Sequence, residues 1–465
     1  MTSAVPPVVA TPAGPPDEPG APTRALRRGL LLALLRGSQY LLLFVAGVVV
    51  ARELGPELRA QYALSLALGS GVWILINLSL PEAAGRLLAR REASLAQLAR
   101  ILYAASLVLG VLGMTVVVAI GMLARGSFLE HASTTAIVLG GLIVPLTLVQ
   151  QVSVGLLTRV GAFGAYGWSC ALTGLMQLAL VVLLAVTLAL TPEYALAVAV
   201  LALAIRAIAL AVAVARHTAI GAVGLTPDGS RGIVWRLLKI GLTLHPAYIA
   251  LALTLRLDLF LVSALSDSRA VGLYSLATSL AEILFLVSWT MTESALRTQT
   301  EADEAAAARY TLWVSRQVLS VTLPAAVVVS LLAYPLIAGL YGREWIGSVV
   351  PLIILTCAAV AFSLEGPIRV MMIRIAPPST IAFAAGIGTA VNVALNLALI
   401  PVLGISGAAL ASVASYWLYL CLLLLAFRRA TGLSVRPIFG MPGEGDLVPR
   451  IARSTLSRLR SSRAT

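Results

Sequence analysis

The sequence predicts an all-α polytopic membrane protein of about twelve transmembrane helices. Three observations predict it. The 465 residues are 59% hydrophobic and only 11% charged, with a mean hydropathy of +0.96, and a soluble protein of this length needs far more polar surface. Apolar runs of about 20 residues, the length that crosses a bilayer, follow one another along nearly the whole chain. Basic residues crowd into every second loop.

The elements follow in chain order. Residues 1–23 hold seven prolines and almost no large apolar side chains, so residues 1–28 are expected to form a disordered cytoplasmic tail. No apolar core follows a basic start there, so this is not a signal peptide. Arg24, Arg27 and Arg28 precede the first apolar run. Six helices are predicted at 29–51, 60–80, 99–124, 133–157, 165–190 and 194–215, forming a first lobe over 29–215. Residues 216–239, the longest interior loop, read as a cytoplasmic linker. Six more helices are predicted at 240–264, 271–296, 314–340, 347–371, 379–402 and 405–427, a second lobe over 240–427. Residues 428–465 are polar and basic and read as a cytoplasmic tail.

Arginine placement sets the orientation. With the N-terminus inside, 23 of the 33 basic residues fall on the cytoplasmic side and five on the outer side, the rest lying within spans. The positive-inside rule therefore places both termini in the cytoplasm, the protein being multi-pass in the cytoplasmic membrane, and requires an even number of crossings. The net charge of +13 is read as topogenic, with no nucleic-acid partner. A weak internal repeat supports two like-oriented halves: AQYALSLAL at 60–68 resembles GLYSLATSL at 272–280.

Several chemistries are excluded. Lys239 is the one lysine, and no phosphate-cradling glycine loop precedes it. Cys170, Cys357 and Cys421 lie singly in apolar runs, which predicts buried small side chains and no metal or disulfide site.

Charges inside spans are the candidate functional groups, because each costs at least about 2.5 kcal/mol to insert. Arg36 sits in helix 1 beside Gln39 and Tyr40; Arg256 and Asp258 sit in helix 7, Glu282 in helix 8, and Glu365 with Arg369 in helix 10. Arg206 and Arg316 lie nearer the cytoplasmic ends, where snorkelling is the plainer account. Arg256 and Asp258 point about 200° apart around their helix, so one is expected to pair with another helix and the other to face a cavity. Glu365 and Arg369 have the i, i+4 order of a helical ion pair, with Gly366-Pro367 between them. His245-Pro246 is expected to break helix 7. Glu282 reads as a lone carboxylate, a candidate proton carrier. Asn392 and Asn396 share one face of helix 11 and suit interhelical hydrogen bonds.

Several stretches resemble one family. DLFLVSALSDSRAVGLYSLATSL at 258–280, LYGREWIGSVVPLIIL at 340–355, VNVALNLALIPVLGISGAALASVAS at 391–415 and RELGPELRAQYAL at 52–64 are similar to Wzx-type polysaccharide or O-antigen flippases. These belong to the multidrug/oligosaccharidyl-lipid/polysaccharide exporter superfamily. The resemblance spans about residues 29–427. It implies two six-helix lobes around a central cavity that opens alternately to each side. It implies a polyprenyl-diphosphate-linked glycan as substrate, no covalent chemistry, and no cofactor beyond a transported H+ or Na+. Membrane lipids, a polysaccharide polymerase and glycosyltransferases are the implied partners, in lipopolysaccharide or exopolysaccharide export. On this basis Arg36, Arg256 and Arg369, with Gln39 and Tyr40, are expected to bind substrate, and Asp258, Glu282 and Glu365 to couple ions. Asp258 stands where many relatives carry an acidic residue. A multidrug exporter of the same fold needs a more acidic cavity. A glycosyltransferase or polymerase needs a large outer loop that this chain lacks. A non-transporting envelope scaffold needs function to reside in the basic tail.

Overall fold

The computed structural model describes residues 21–89, 92–124, 133–159, 162–219 and 230–440. Among them the chain is helical throughout, without strands. The helices are α1 (Ala21–Ile76), α2 (Leu80–Ala89), α3 (Leu95–Leu123), α4 (Thr134–Arg159), α5 (Phe163–Thr187), α6 (Pro192–Ala219), α7 (Ser230–Leu265), α8 (Ser268–Glu282), α9 (Phe285–Glu301), α10 (Glu304–Leu340), α11 (Val349–Ile375), α12 (Pro378–Leu403) and α13 (Ile405–Thr431). Short 3-10 turns occupy Arg343–Ser348 and Arg436–Phe439.

Among the described residues, eleven stretches are long and apolar enough to cross a membrane. The first, Leu34–Ile76, has 43 residues, about 65 Å at 1.5 Å per residue, or two hydrocarbon thicknesses. Gly55 interrupts it, with φ 65° and ψ 174°. A Cβ there would meet nothing within 4 Å, so the left-handed φ alone calls for glycine. The two arms run in opposite directions. Arg36 of the first arm lies over Tyr166 at the start of α5, while Val50 and Leu54 pack with Val181 and Leu190 at its far end, alongside Tyr62 of the second arm. The second arm then returns to Leu80, which packs with Leu210, Val214 and Leu237. Counted with the ten other stretches, the two arms make twelve crossings among the described residues. The side holding the start of α1 and the end of α13 is called the near side below, and the side holding Gly55 the far side.

Helices α1 to α6 pack among themselves, as do α7 and α9 to α13. Small residues let the axes approach: Gly110 of α3 faces Pro145 of α4, where an added Cβ would come to 2.7 Å. Helix ends are capped by the chain itself: Ser94 and Gln97 form a capping box on α3, and Asp267 accepts from Ala270 N at 2.7 Å on α8.

The breaks differ from those the prolines suggest. α7 continues through Pro246, and α11 through Pro367. Proline removes one N–H without forbidding helical dihedrals, and a long helix tolerates one lost bond if the freed carbonyl finds a donor. In α11 it does: Ser288 Oγ donates to the Ser363 carbonyl that Pro367 leaves free. The expected helix at 60–80 instead ends at Ile76, and Leu78 and Ser79 follow with left-handed φ of 50° and 49° before α2 begins. The expected helix at 271–296 divides into α8 and α9 at Ile283–Leu284, directly after Glu282. The anticipated N-terminal tail gives way to helix from Ala21, residues 1–20 lying outside the described residues. The anticipated linker 216–239 is helical up to Ala219 and from Ser230, with 220–229 outside the described residues; of the C-terminal tail, 441–465 lie outside them. Of the three cysteines only Cys170 is buried, because Cys357 and Cys421 turn toward the bundle surface.

Candidate functional site at the seam between the helix sets

The two sets meet along a seam formed by α1 and α2 on one side and α7 and α8 on the other, with Glu293 of α9 reaching it through its side chain. On the far side, Gly272 of α8 packs against the Pro56 carbonyl, leaving no room for a Cβ. Arg59, buried, donates from Nε to Ser275 Oγ at 3.3 Å and lies over the Trp345 ring at 5.7 Å. Arg52 donates to the Gly339 carbonyl at 2.7 Å. On the near side, Gly241 of α7 packs in the same way on the Leu78 carbonyl. His245 Nε2 donates to the Leu75 carbonyl at 2.9 Å, and its Nδ1 lies 3.3 Å from Ser79 Oγ. The donor role of Nε2 follows from its carbonyl partner, which can only accept. Backbone thus meets backbone across the seam at both ends.

Two arginines within the apolar spans form ion pairs, one of them across the seam. Arg36 of α1 makes an ion pair with Glu293 of α9, 257 positions away. Arg36 also lies over the Tyr166 ring at 5.5 Å and within electrostatic reach of Tyr40, one turn further on. Gln39 is buried where α1 crosses α5 at Gly174. Arg256 of α7 bonds both oxygens of Glu282 of α8, at 2.9 and 3.5 Å. Glu282 is therefore paired rather than alone, a correction to its reading as a solitary carboxylate. It stands at the end of α8, where the break turns its side chain toward α7. Both pairs keep contact with the surroundings: Glu293 is 58% exposed, Arg256 37% and Glu282 28%.

Asp258 takes the other direction around α7, as its spacing from Arg256 requires. It is buried, accepting from Tyr274 Oη at 2.6 Å, Leu259 N at 2.7 Å and Ser412 Oγ at 3.3 Å. Ser412 leads into a run of oxygen donors and acceptors inside the second set. Ser415 Oγ accepts from Asn392 Nδ2 at 3.0 Å, and Asn392 Oδ1 accepts from Asn396 Nδ2 at 3.0 Å. Asn396 Oδ1 is buried without a hydrogen-bond partner. Glu365 and Arg369 form the i, i+4 pair that their spacing predicts, at 2.9 Å. Arg369 lies over Tyr248 at 5.7 Å, and Tyr419 Oη donates to Glu365 at 3.4 Å. That pair lies inside the second set among α7, α11 and α13. Arg206 of α6 turns toward α5 rather than toward the membrane surface, with Nη2 donating to Cys170 Sγ at 3.1 Å.

Sequence reasoning did not single out Glu293, Arg59 or Tyr274. Glu293 lies eleven residues after Glu282, three helical turns on, which is the one local signal that pointed to it. Arg59 looked like an outer-loop residue because the turn at Gly55 is much tighter than a loop. Among the described residues no three His, Cys, Asp or Glu side chains gather as a metal site would require.

Residues 25–297 match the family model described as polysaccharide biosynthesis protein, more than half of the chain. The chain belongs to that family. The matched part holds Arg36, Arg256, Asp258, Glu282 and Glu293. No curated protein matches the chain in sequence. Among solved structures, the fold is similar to lipid II flippase MurJ in its inward closed conformation, at 14% identity and TM-score 0.65 over 88% of this chain and 89% of that one. An inward-facing multidrug resistance MATE family transporter of the MOP superfamily matches at 13% identity and TM-score 0.62, covering 89% of this chain and 100% of its own. An outward-facing one matches at 18% and 0.63, covering 91% and 98%. The chain therefore has the fold of MurJ and of the MATE family transporters.

Proposed function

We propose that this protein moves a polyprenyl-diphosphate-linked saccharide across the membrane, by opening the seam at its near and far ends in turn. One observation carries the reading: two arginines within the apolar spans, Arg36 and Arg256, are held by carboxylate partners that remain partly exposed. A saccharide bearing a diphosphate cannot leave water for hydrocarbon without replacement partners. Guanidinium groups supply them by charge-assisted, forked hydrogen bonds, while the prenyl chain stays in lipid. The family match supports a glycan substrate over a drug. So does the pairing of Glu282 and Glu293 with arginine, which leaves little free negative charge there for a cationic drug.

The coupling cation, H+ or Na+, is assigned to Asp258. Its carboxylate is buried among hydroxyls and amides, with no arginine in hydrogen-bond contact. It sits two residues from Arg256 on the same helix, so a change of charge there is transmitted to the seam through α7. The expected test is export of surface glycan in cells lacking the native gene. Arg36→Ala and Arg256→Ala should each abolish export with the protein still in the membrane. Unchanged export in both removes this assignment.

A further inference from the structure

One turn of α8 makes a different contact with each of its residues. Gly272 backs onto the Pro56 carbonyl of α1. The Leu273 carbonyl accepts from Ser348 Oγ at 2.8 Å. Tyr274, fully buried, donates from Oη to Asp258 of α7 at 2.6 Å. Ser275 Oγ accepts from Arg59 of α1 at 3.3 Å. Successive residues point about 100° apart on a helix while i and i+3 share a face, so Tyr274 reaches into the second set as Gly272 and Ser275 meet the first. Of the donors to Asp258, Leu259 N lies in α7 itself and Ser412 in α13; Tyr274 belongs to the helix that carries the far-side contacts. The carboxylate and the far-side arginine are therefore held by adjacent residues of one helix.

We infer that Tyr274 is a positioning residue that ties cation occupancy of Asp258 to closure of the far side. The inference rests on the reading of Asp258 as the coupling site and names the element that carries its effect to the far end of the seam. With the carboxylate bare, the phenol makes a charge-assisted hydrogen bond, the stronger class, and α8 is held with Gly272 and Ser275 seated on α1. A cation at Asp258, H+ or Na+, takes up carboxylate charge and lone pairs, and that bond weakens. The charged and titratable groups around Asp258 are Tyr274, Tyr416, Arg256 and Glu282. Arg256 and Glu282 offset each other, so a cation on Asp258 removes the one unbalanced negative charge among these groups. The closed far side is the state of the bare carboxylate, and loading Asp258 favours its parting.

The test uses the full-length protein in nanodiscs, without native cysteines and with a cysteine at Ala60, which is buried in the core that joins α1 to α8. Its rate of reaction with a maleimide is normalised to that of a cysteine at exposed Leu58, which removes the effect of pH on the thiol itself. Sodium is varied at fixed pH, and pH in the absence of sodium, which tells the two cations apart. One of them should raise the normalised rate about threefold or more in the parent. Tyr274→Phe should raise it about tenfold, the worth of one hydrogen bond to a charged group, and abolish the cation response. Ser348→Ala loosens the same turn without touching Asp258, so it should raise the rate yet keep the response; a response lost there too belongs to loosened packing and overturns the inference. Tyr274→Phe that keeps the response overturns the inference and leaves Asp258 as the coupling site. Asp258→Asn that still responds overturns both, since the cation then acts elsewhere. A parent that responds to neither cation overturns the inference, and gradient-driven flipping by Asp258→Asn then judges the coupling site on its own. Should Tyr274→Phe fail to fold, amide hydrogen exchange of residues 272–275 in the parent decides: exchange no faster with cation than without it overturns the inference.

Discussion

Removing Arg256 separates a binding role from a structural one. Arg256→Ala takes away two bonds to Glu282, at 2.9 and 3.5 Å, and strands a carboxylate at bilayer depth. Fully exposed ion pairs contribute about 0–1 kcal/mol, whereas stripping one partner from a buried pair costs about 3–5 kcal/mol. With 37% and 28% of the two side chains exposed, the expected loss lies between these limits, about 1–3 kcal/mol after allowing for solvent screening. Most of that loss is the stranded charge rather than the missing bonds. The double variant Arg256→Ala/Glu282→Ala should therefore recover to within about 1 kcal/mol of the parent. Stability is read from thermal unfolding in nanodiscs, and transport from flipping of a labelled prenyl-diphosphate sugar in proteoliposomes. Recovery of stability without recovery of transport is the expected result, since ligand binding needs the guanidinium itself. A double variant that regains both would show that Arg256 only offsets Glu282, and the reasoning would fail.

Three further outcomes follow from the geometry. Ser288→Ala should destabilise by about 1–3 kcal/mol, because the Ser363 carbonyl loses its donor; adding Pro367→Ala restores a backbone N–H in α11, and a double-mutant cycle by thermal unfolding should show the loss largely removed. Gly272→Val cannot pack on the Pro56 carbonyl, so the far side stays parted; a cysteine at Ser275, buried in the parent, should then react with an impermeant maleimide about tenfold faster or more in a background without native cysteines. Asp258→Asn keeps the shape of the Tyr274 contact and removes the charge; gradient-driven flipping should fall at least about tenfold while diphosphate-lipid affinity stays within about twofold.

Local sequence carried the span count and the two helix sets, because bilayer length and arginine placement are properties of short windows. It also carried the divergence of Arg256 from Asp258 and the Glu365–Arg369 pair, since both follow from one helix's pitch. It did not carry the Arg36–Glu293 or Arg59–Ser275 contacts, whose partners lie 257 and 216 positions apart. Nothing in either window specifies the other. The prolines misdirected the search for breaks. His245-Pro246 leaves α7 intact, while Asn77–Ser79 and Ile283–Leu284, with no proline, interrupt the chain. There, contacts to α7 outweigh local helix propensity: the Leu78 carbonyl sits on Gly241, and Glu282 reaches Arg256. Gln39 was grouped with Arg36 by adjacency, and at i+3 it does share that face of α1; both lie against α5, Gln39 at Gly174 and Arg36 over Tyr166, but Arg36 alone of the two also reaches a carboxylate of the other set, Glu293.

The turn at Gly55 bears on how the nascent chain enters the bilayer. It leaves almost no connecting loop, so both arms must insert together as a hairpin, carrying Arg52 and Arg59 across the membrane against the usual arginine bias. The hydroxyl that receives Arg59 is synthesised 216 residues later, about 10–40 s at ordinary rates of translation. For that interval neither Ser275 nor the Trp345 ring is there to receive the guanidinium, and the first two crossings are held provisionally. Completion of the second half is what makes their insertion final, which ties quality control of this protein to synthesis of the whole chain.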